Sequence, residues 1–313
     1  MAQRIILLSV VAGCSTPGAG TPKPRTAEVK EETLTSAEAI SALWPDESRV
    51  ALAPTTARER EAIAWWVPRL LAGVGPDDPS SLAGGPALRR VGLTLELWQV
   101  DGQPYWVLRE RPGARRGAGT YLFRAGAPAG ARVLILQAPH AYYDIDTGPI
   151  AARLFFTGTG QALFTNTLHR YRAAPGPTRK VKRSPADVAH TPSHLFAAAT
   201  AAAAGAATLA VVQLHGFADR DAGAQLIVSA GDSRGATPWS RAAAQTLAGA
   251  LPDVALYPDQ IRVLGGTSNV QKRALGDDDE FLHLEMSRGV RRTLLRDPQA
   301  LEALRSALVG AAR

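Results

Sequence analysis

The chain has 313 residues, 46% of them apolar, enough to bury the core of one large domain or two small ones. Its net charge of +7 suits an anionic partner, but the basic residues are scattered apart from one run at Arg179, Lys180, Lys182 and Arg183. A solvated loop or a contact with an anionic envelope polymer is the reading of that run. The single cysteine excludes a disulfide within the chain.

The N-terminus opens with Arg4 and a short apolar run from Ile5 to Val11, which leads into Val11-Ala12-Gly13-Cys14. A run this short cannot span a bilayer as a helix, so it reads as a processing signal. Val-Ala-Gly-Cys resembles the lipobox of bacterial lipoproteins. That resemblance implies a leader over residues 1–13, cleavage before Cys14 and a diacylglycerol anchor on its sulfur. With Ser15 next, it implies the outer membrane of a Gram-negative cell. The alternative is an apolar terminus with a chance cysteine. An exported protein rarely meets nucleic acid, so none is expected as a partner. Residues 14–30 are rich in Gly, Pro, Thr and Ser, the composition of a flexible tether. Residues 31–313 are expected to form one α/β domain that opens with a hairpin extension.

Within that domain, Ile63, Trp66, Val67 and Leu70 predict a helix over Arg58 to Leu71, with Pro68 as a possible kink. Leu93 to Val100 and Pro104 to Arg109 are strand-like runs around Asp101-Gly102, a hairpin signal. Arg132 to Gln137 is a buried-strand run. Thr208 to Leu214, Gln225 to Ser229, Val254 to Tyr257 and Phe281 to Met286 are further strands. Helical stretches fall at Gly148 to Phe156, Pro192 to Ala206, Pro238 to Ala248 and after Asp297. Thr237-Pro238 and Asp297-Pro298 are cap-plus-proline starts. This alternation predicts a mixed, mostly parallel sheet with helices on both faces.

Ligands of open α/β sheets gather beyond the carboxyl ends of the strands. Three strands here end in reactive groups: one runs into His140, Asp144 and Asp146, one delivers His215, and one carries His283 and Glu285. Two histidines and a carboxylate suffice to hold a catalytic zinc, and a further carboxylate could take a proton from water. Each has a plainer reading. His140 and His215 would be buried histidines bonded to backbone. Asp146 would cap the helix at Gly148, and Glu285 would pair with Arg288 or Arg291.

From His140 to about Arg292 the pattern resembles the zinc carboxypeptidase superfamily, which includes N-formylglutamate amidohydrolases and phage poly-γ-glutamate hydrolases. The resemblance is carried by His140-Ala-Tyr-Tyr-Asp144, by Val-Val-Gln-Leu-His215 at the end of an apolar strand, and by Phe281-Leu-His-Leu-Glu285-Met. It implies a zinc-exopeptidase-like fold, zinc on His140, Asp144 and His215, and Glu285 as general base. Asn166 and Arg170 would bind the substrate, a peptide, acyl-amino acid or envelope polymer bearing a carboxylate. An arginine suits that task because its planar fork grips a carboxylate at two points. The sequence departs from the pattern in having Asp144 for Glu, and Gln213 where carboxypeptidases often have Asp.

Two other classes stand beside this one. Gly231-Asp-Ser233-Arg-Gly235 matches the serine-hydrolase elbow, although the next helix begins too late for a sharp turn at Ser233. A non-catalytic lipoprotein would keep the same residues as a ligand pocket.

Overall fold

A computed structural model of the chain describes residues 4–10, 25–46, 50–82, 84–127, 130–172, 184–218 and 223–310. Cys14 and the basic run from Arg179 to Arg183 lie outside the described residues. Strands β1 (Arg4–Val10) and β2 (Arg25–Leu34) come first, followed by helices α1 (Ser36–Leu43) and α2 (Ala57–Leu71). Strands β3 (Leu93–Val100), β4 (Gln103–Glu110), β5 (Thr120–Arg124) and β6 (Val133–Ala138) lead to α3 (Thr147–Phe156) and β7 (Ala162–Thr165). Then come α4 (Leu195–Ala204), β8 (Leu209–Gly216), β9 (Leu226–Ser229), α5 (Pro238–Ala248) and β10 (Val254–Tyr257). The last elements are α6 (Val270–Arg273), β11 (Glu280–Met286), α7 (Arg288–Arg296) and α8 (Pro298–Val309).

The strands form one mixed sheet in the order β1-β2-β3-β4-β5-β7-β6-β8-β11-β9-β10. Parallel pairing holds its middle, where β7, β6, β8 and β11 run side by side in one direction. Antiparallel pairs flank them, β5 with β7 on one side and β11 with β9 on the other. The expected α/β architecture is present, with helices on both faces.

Side chains of a strand alternate between faces, and here each face has its own core. Leu134, Leu136, Val212, Leu214, Leu282 and Leu284 pack with Ile150, Leu247, Val290 and Leu304 of α3, α5, α7 and α8. Val133, Ile135, Leu209, Val211 and Phe281 pack on the other face with Ile63 and Val67 of α2 and Phe196 and Ala199 of α4. Continuing the second register toward the carboxyl ends gives Gln137 on β6, Gln213 and His215 on β8, and His283 and Glu285 on β11. The α2/α4 face thus changes from apolar to polar along the same three strands.

Several boundaries differ from expectation. Arg25 to Lys30, assigned to the tether, lie in β2, which pairs with β3. The hairpin β3–β4 is an interior part of the sheet, flanked by β2 and β5. Helix α3 begins at Thr147; Asp146 precedes it in the left-handed region, at φ 78°, with no capping bond from its side chain. That backbone turns the carboxylate away from the N–H groups a cap must reach.

Candidate metal centre

His140 and Asp144 share one helical turn after β6: the N–H groups of Tyr143 and Asp144 both donate to the His140 carbonyl at 2.8 Å. Residues four apart on such a turn stand on the same side, so ring and carboxylate meet. His215 reaches them from β8, which is paired directly with β6. The Nδ1 atoms of the two histidines are 3.1 Å apart, and Asp144 Oδ2 is 3.4 Å from one and 3.5 Å from the other. All three side chains are buried.

These spacings test whether the residues fit a metal. A tetrahedral ion bound at about 2.0–2.1 Å sets its donors about 3.3–3.4 Å apart, because a tetrahedron's edge is about 1.63 bond lengths. The triangle observed, with sides of 3.1, 3.4 and 3.5 Å, has that size. Asp144 Oδ1 is buried without a hydrogen-bond donor, an uncommon state for a carboxylate oxygen. Two imidazoles and one carboxylate are also a donor set of catalytic zinc. The residues fit.

Outer contacts hold the two rings. Nε2 of His140 lies 2.8 Å from Asp187 Oδ1, and Asp187 Oδ2 accepts from Arg170 Nη2 at 2.5 Å. Nε2 of His215 lies 3.0 Å from Gln213 Oε1. Such contacts orient imidazoles for a metal. Burial opposes the Asp144 charge, but the close approach of the His140 and His215 rings overcomes it and holds the carboxyl below the usual range. Burial likewise opposes the Asp187 charge, yet His140 and Arg170 bring its pKa down to about 2. His140 is raised, because Asp144 and Asp187 outweigh the effect of burial, whereas burial depresses His215 to about 4.

Glu285 pairs in register with His215 on the neighbouring strand, and its Oε1 lies 3.8 Å from His283 Nε2. His215, His283 and Glu285 form a second set of converging donor atoms; it shares His215 with the first, so the two make one extended centre. His283 is buried with its ring centroid 4.5 Å from that of His215, and burial pushes its pKa well down. Gly266 closes over it: at φ 64° it has no side chain, and a Cβ there would lie 2.7 Å from the His283 ring.

The two residues expected to hold substrate separate. Arg170 stands at the centre, its Nη1 3.1 Å from His140 Nδ1 and its guanidinium 5.6 and 5.4 Å from the ring centroids of Tyr143 and Tyr171. Asn166 does not face it. Its amide donates to the Leu168 and Ala186 carbonyls and accepts from Thr167 N–H, so it organises the turn that carries Arg170. Asp146 lies outside both donor sets. Ser233 is exposed in a turn that follows Gly231 at φ 68°, well ahead of the start of α5 at Pro238, so the elbow geometry is missing. A separate open cavity of about 560 Å³ beside Thr56, Arg58 and Arg90 contains no histidine, and its Glu59 is already paired with Arg116.

No protein-family model and no curated protein matches the chain. Among solved structures, a bacteriophage poly-gamma-glutamate hydrolase is 18% identical, with 58% of this chain and 84% of that chain covered and a TM-score of 0.41. N-formylglutamate amidohydrolase from Ralstonia eutropha is 15% identical, covering 59% of this chain and 92% of that one, at 0.35. The tripeptide-bound cell shape determinant Csd4 of Helicobacter pylori is 18% identical, covering 57% and 51%, at 0.34. The first two carry the names of groups that the sequence resembles. Among the described residues, no helix is long and apolar enough to cross a membrane.

Proposed function

We propose that this protein is a zinc-dependent hydrolase of amide bonds, acting in the cell envelope on a carboxylate-bearing peptide, acyl-amino acid or polymer, and anchored there through Cys14. The observation that carries this reading is the buried His140–Asp144–His215 triangle with tetrahedral spacing beside a fourth group, Glu285. His140, Asp144 and His215 would hold the ion. Bound zinc supplies a Lewis acid that polarises a carbonyl and acidifies water. Glu285 accepts the proton of the attacking water and delivers it to the departing amine, so that one C–N bond breaks as one C–O bond forms. Arg170, held by Asp187, offers an N–H donor and a positive charge to a substrate oxygen on the same side. His283 packs against His215, with ring centroids 4.5 Å apart.

Elemental analysis tests the reading together with turnover. Purified protein should contain one zinc per chain, and chelation should abolish cleavage of γ-glutamyl or stem-peptide amides, with recovery on adding zinc back. His140→Ala, Asp144→Ala and His215→Ala should each lose the metal. Full zinc occupancy in all three variants, or turnover indifferent to chelation, would remove the assignment.

A further inference from the structure

Behind His215 lies a buried chain of amides. Gln213 Oε1 stands 3.0 Å from His215 Nε2 and accepts from Asn269 Nδ2 at 2.5 Å. On its other side Gln213 Nε2 donates to Gln137 Oε1 at 2.7 Å and to Gln271 Oε1 at 3.2 Å. Gln137, Gln213 and Gln271 are fully buried and Asn269 nearly so. A primary amide has two acceptor positions and two N–H groups, and here all four are used.

The two ends of an amide are told apart by their partners, and this network is anchored where no choice exists. Asn269 Oδ1 accepts from the backbone N–H groups of Gln271 and Lys272, so its Nδ2 must be the donor toward Gln213. Gln271 Nε2 donates to the Val188 carbonyl, which leaves its Oε1 facing Gln213. Gln137 Nε2 donates to Thr200 Oγ1, whose own hydroxyl is given to the Phe196 carbonyl. Three backbone anchors therefore fix the direction of Gln213. Its oxygen must point at His215.

We infer that Gln213 is a positioning residue which sets the tautomer of His215: the ring proton sits on Nε2, and the lone pair of Nδ1 faces His140 and Asp144. This deepens the metal-site reading above and rests on it for its purpose, though the tautomer itself is a property of the metal-free protein. The position requires an amide. A carboxylate would satisfy His215 and Asn269 but set an acceptor against the oxygens of Gln137 and Gln271, and an apolar residue would leave all four partners unmet in the core.

The test uses the full chain with Co(II) as probe, and ¹⁵N-histidine ring spectra of the metal-free protein. The wild type should bind one Co(II) and show His215 protonated on Nε2. Gln213→Leu should weaken Co(II) binding about 10- to 100-fold, the usual cost of losing an outer contact to a ligand. Gln213→Glu should lower thermal stability without tightening Co(II). A ring spectrum with the His215 proton on Nδ1 would overturn the inference even where Gln213→Leu fails to fold. So would wild-type Co(II) affinity in a folded Gln213→Leu protein, or tighter binding at unchanged stability in Gln213→Glu. A wild type that binds no Co(II) would sink the metal reading alone, since the ring spectra still decide the tautomer.

Discussion

Glu285 and the three donor residues His140, Asp144 and His215 differ in what their removal should do. Glu285→Gln keeps the size and polarity of the side chain but cannot accept the proton of water. Zinc content should stay at one per chain while turnover falls by about two to four orders of magnitude, the usual worth of general acid–base help. The plainer role for Glu285, a structural partner of Arg288 or Arg291, predicts the opposite split: a lowered midpoint of unfolding, with turnover per folded molecule retained. Measuring metal content, melting and turnover on one preparation separates the two. Near-normal turnover in a zinc-loaded Glu285→Gln protein would move the base elsewhere. The neighbour on the same face is His283, 3.8 Å away.

Helix α4 shows what a cap can do at the scale of an element. His194 caps it: Nδ1 accepts from Phe196 N–H at 3.1 Å, and Nε2 donates to the Gly117 carbonyl at 2.8 Å. The bond to Phe196 needs the neutral ring, and burial, outweighing the Gly117 bond that favours the charged form, pushes its pKa from 6.5 down to about 4. The folded pKa lies below the unfolded one, so the unfolded chain takes up the proton first as pH falls. The contribution of this group is whole above pH 6.5, declines through the interval down to about 4, and is flat below it. At about 1.36 kcal/mol per unit the full loss is about 3 kcal/mol. Denaturant unfolding of wild type and His194→Asn should show a stability gap at pH 7 that narrows toward pH 4.5. A gap independent of pH would show that protonation of this ring is not what the fold resists.

Elements also differ in how openly the sequence announces them. Strand β6 was legible as a continuous Val, Leu and Ile run and β8 and β11 as mostly apolar strand-like segments, and the β3–β4 turn was legible because Asp101 and Gly102 are types that accept positive φ, here 48° and 78°. Strands β5 and β7 were missed although β9 and β10, which are no longer, were read, so length alone does not hide a strand. Helix α7 has four arginines among its nine residues and buries Val290, Arg291 and Leu294, so its low apolar content hides it. Helix α1 did carry a signal, the Thr35–Glu38 capping box. At the centre, His140 and His215 stand out because they end apolar runs. Asp187 does not: it meets His140 across 47 residues of chain, from a turn with no pattern of its own. The amides around Gln213 are hidden for the same reason, since only tertiary contact joins Asn269 to β8.

At the scale of the whole molecule the open question is the fate of β1. The leader expected over residues 1–13 contains this strand, which pairs antiparallel with β2 at the outer edge of the sheet. Five strands, β2, β3, β4, β5 and β7, stand between it and β6, which leads into the His140 turn. Losing β1 breaks one edge ladder and leaves the β6–β8–β11 register untouched, because edge elements open without the core. A chain that begins at Cys14 should therefore fold, keep one zinc and turn over substrate at the rate of the longer form. Expressed with its leader in a bacterial host, the protein should yield a mature N-terminus at a lipid-modified Cys14, read by mass spectrometry. Cys14→Ser should remove the lipid label and release the protein from the membrane fraction. Recovery of the protein with Met1 intact and an unmodified Cys14 thiol would defeat the leader reading, and β1 would then be a permanent strand of the sheet.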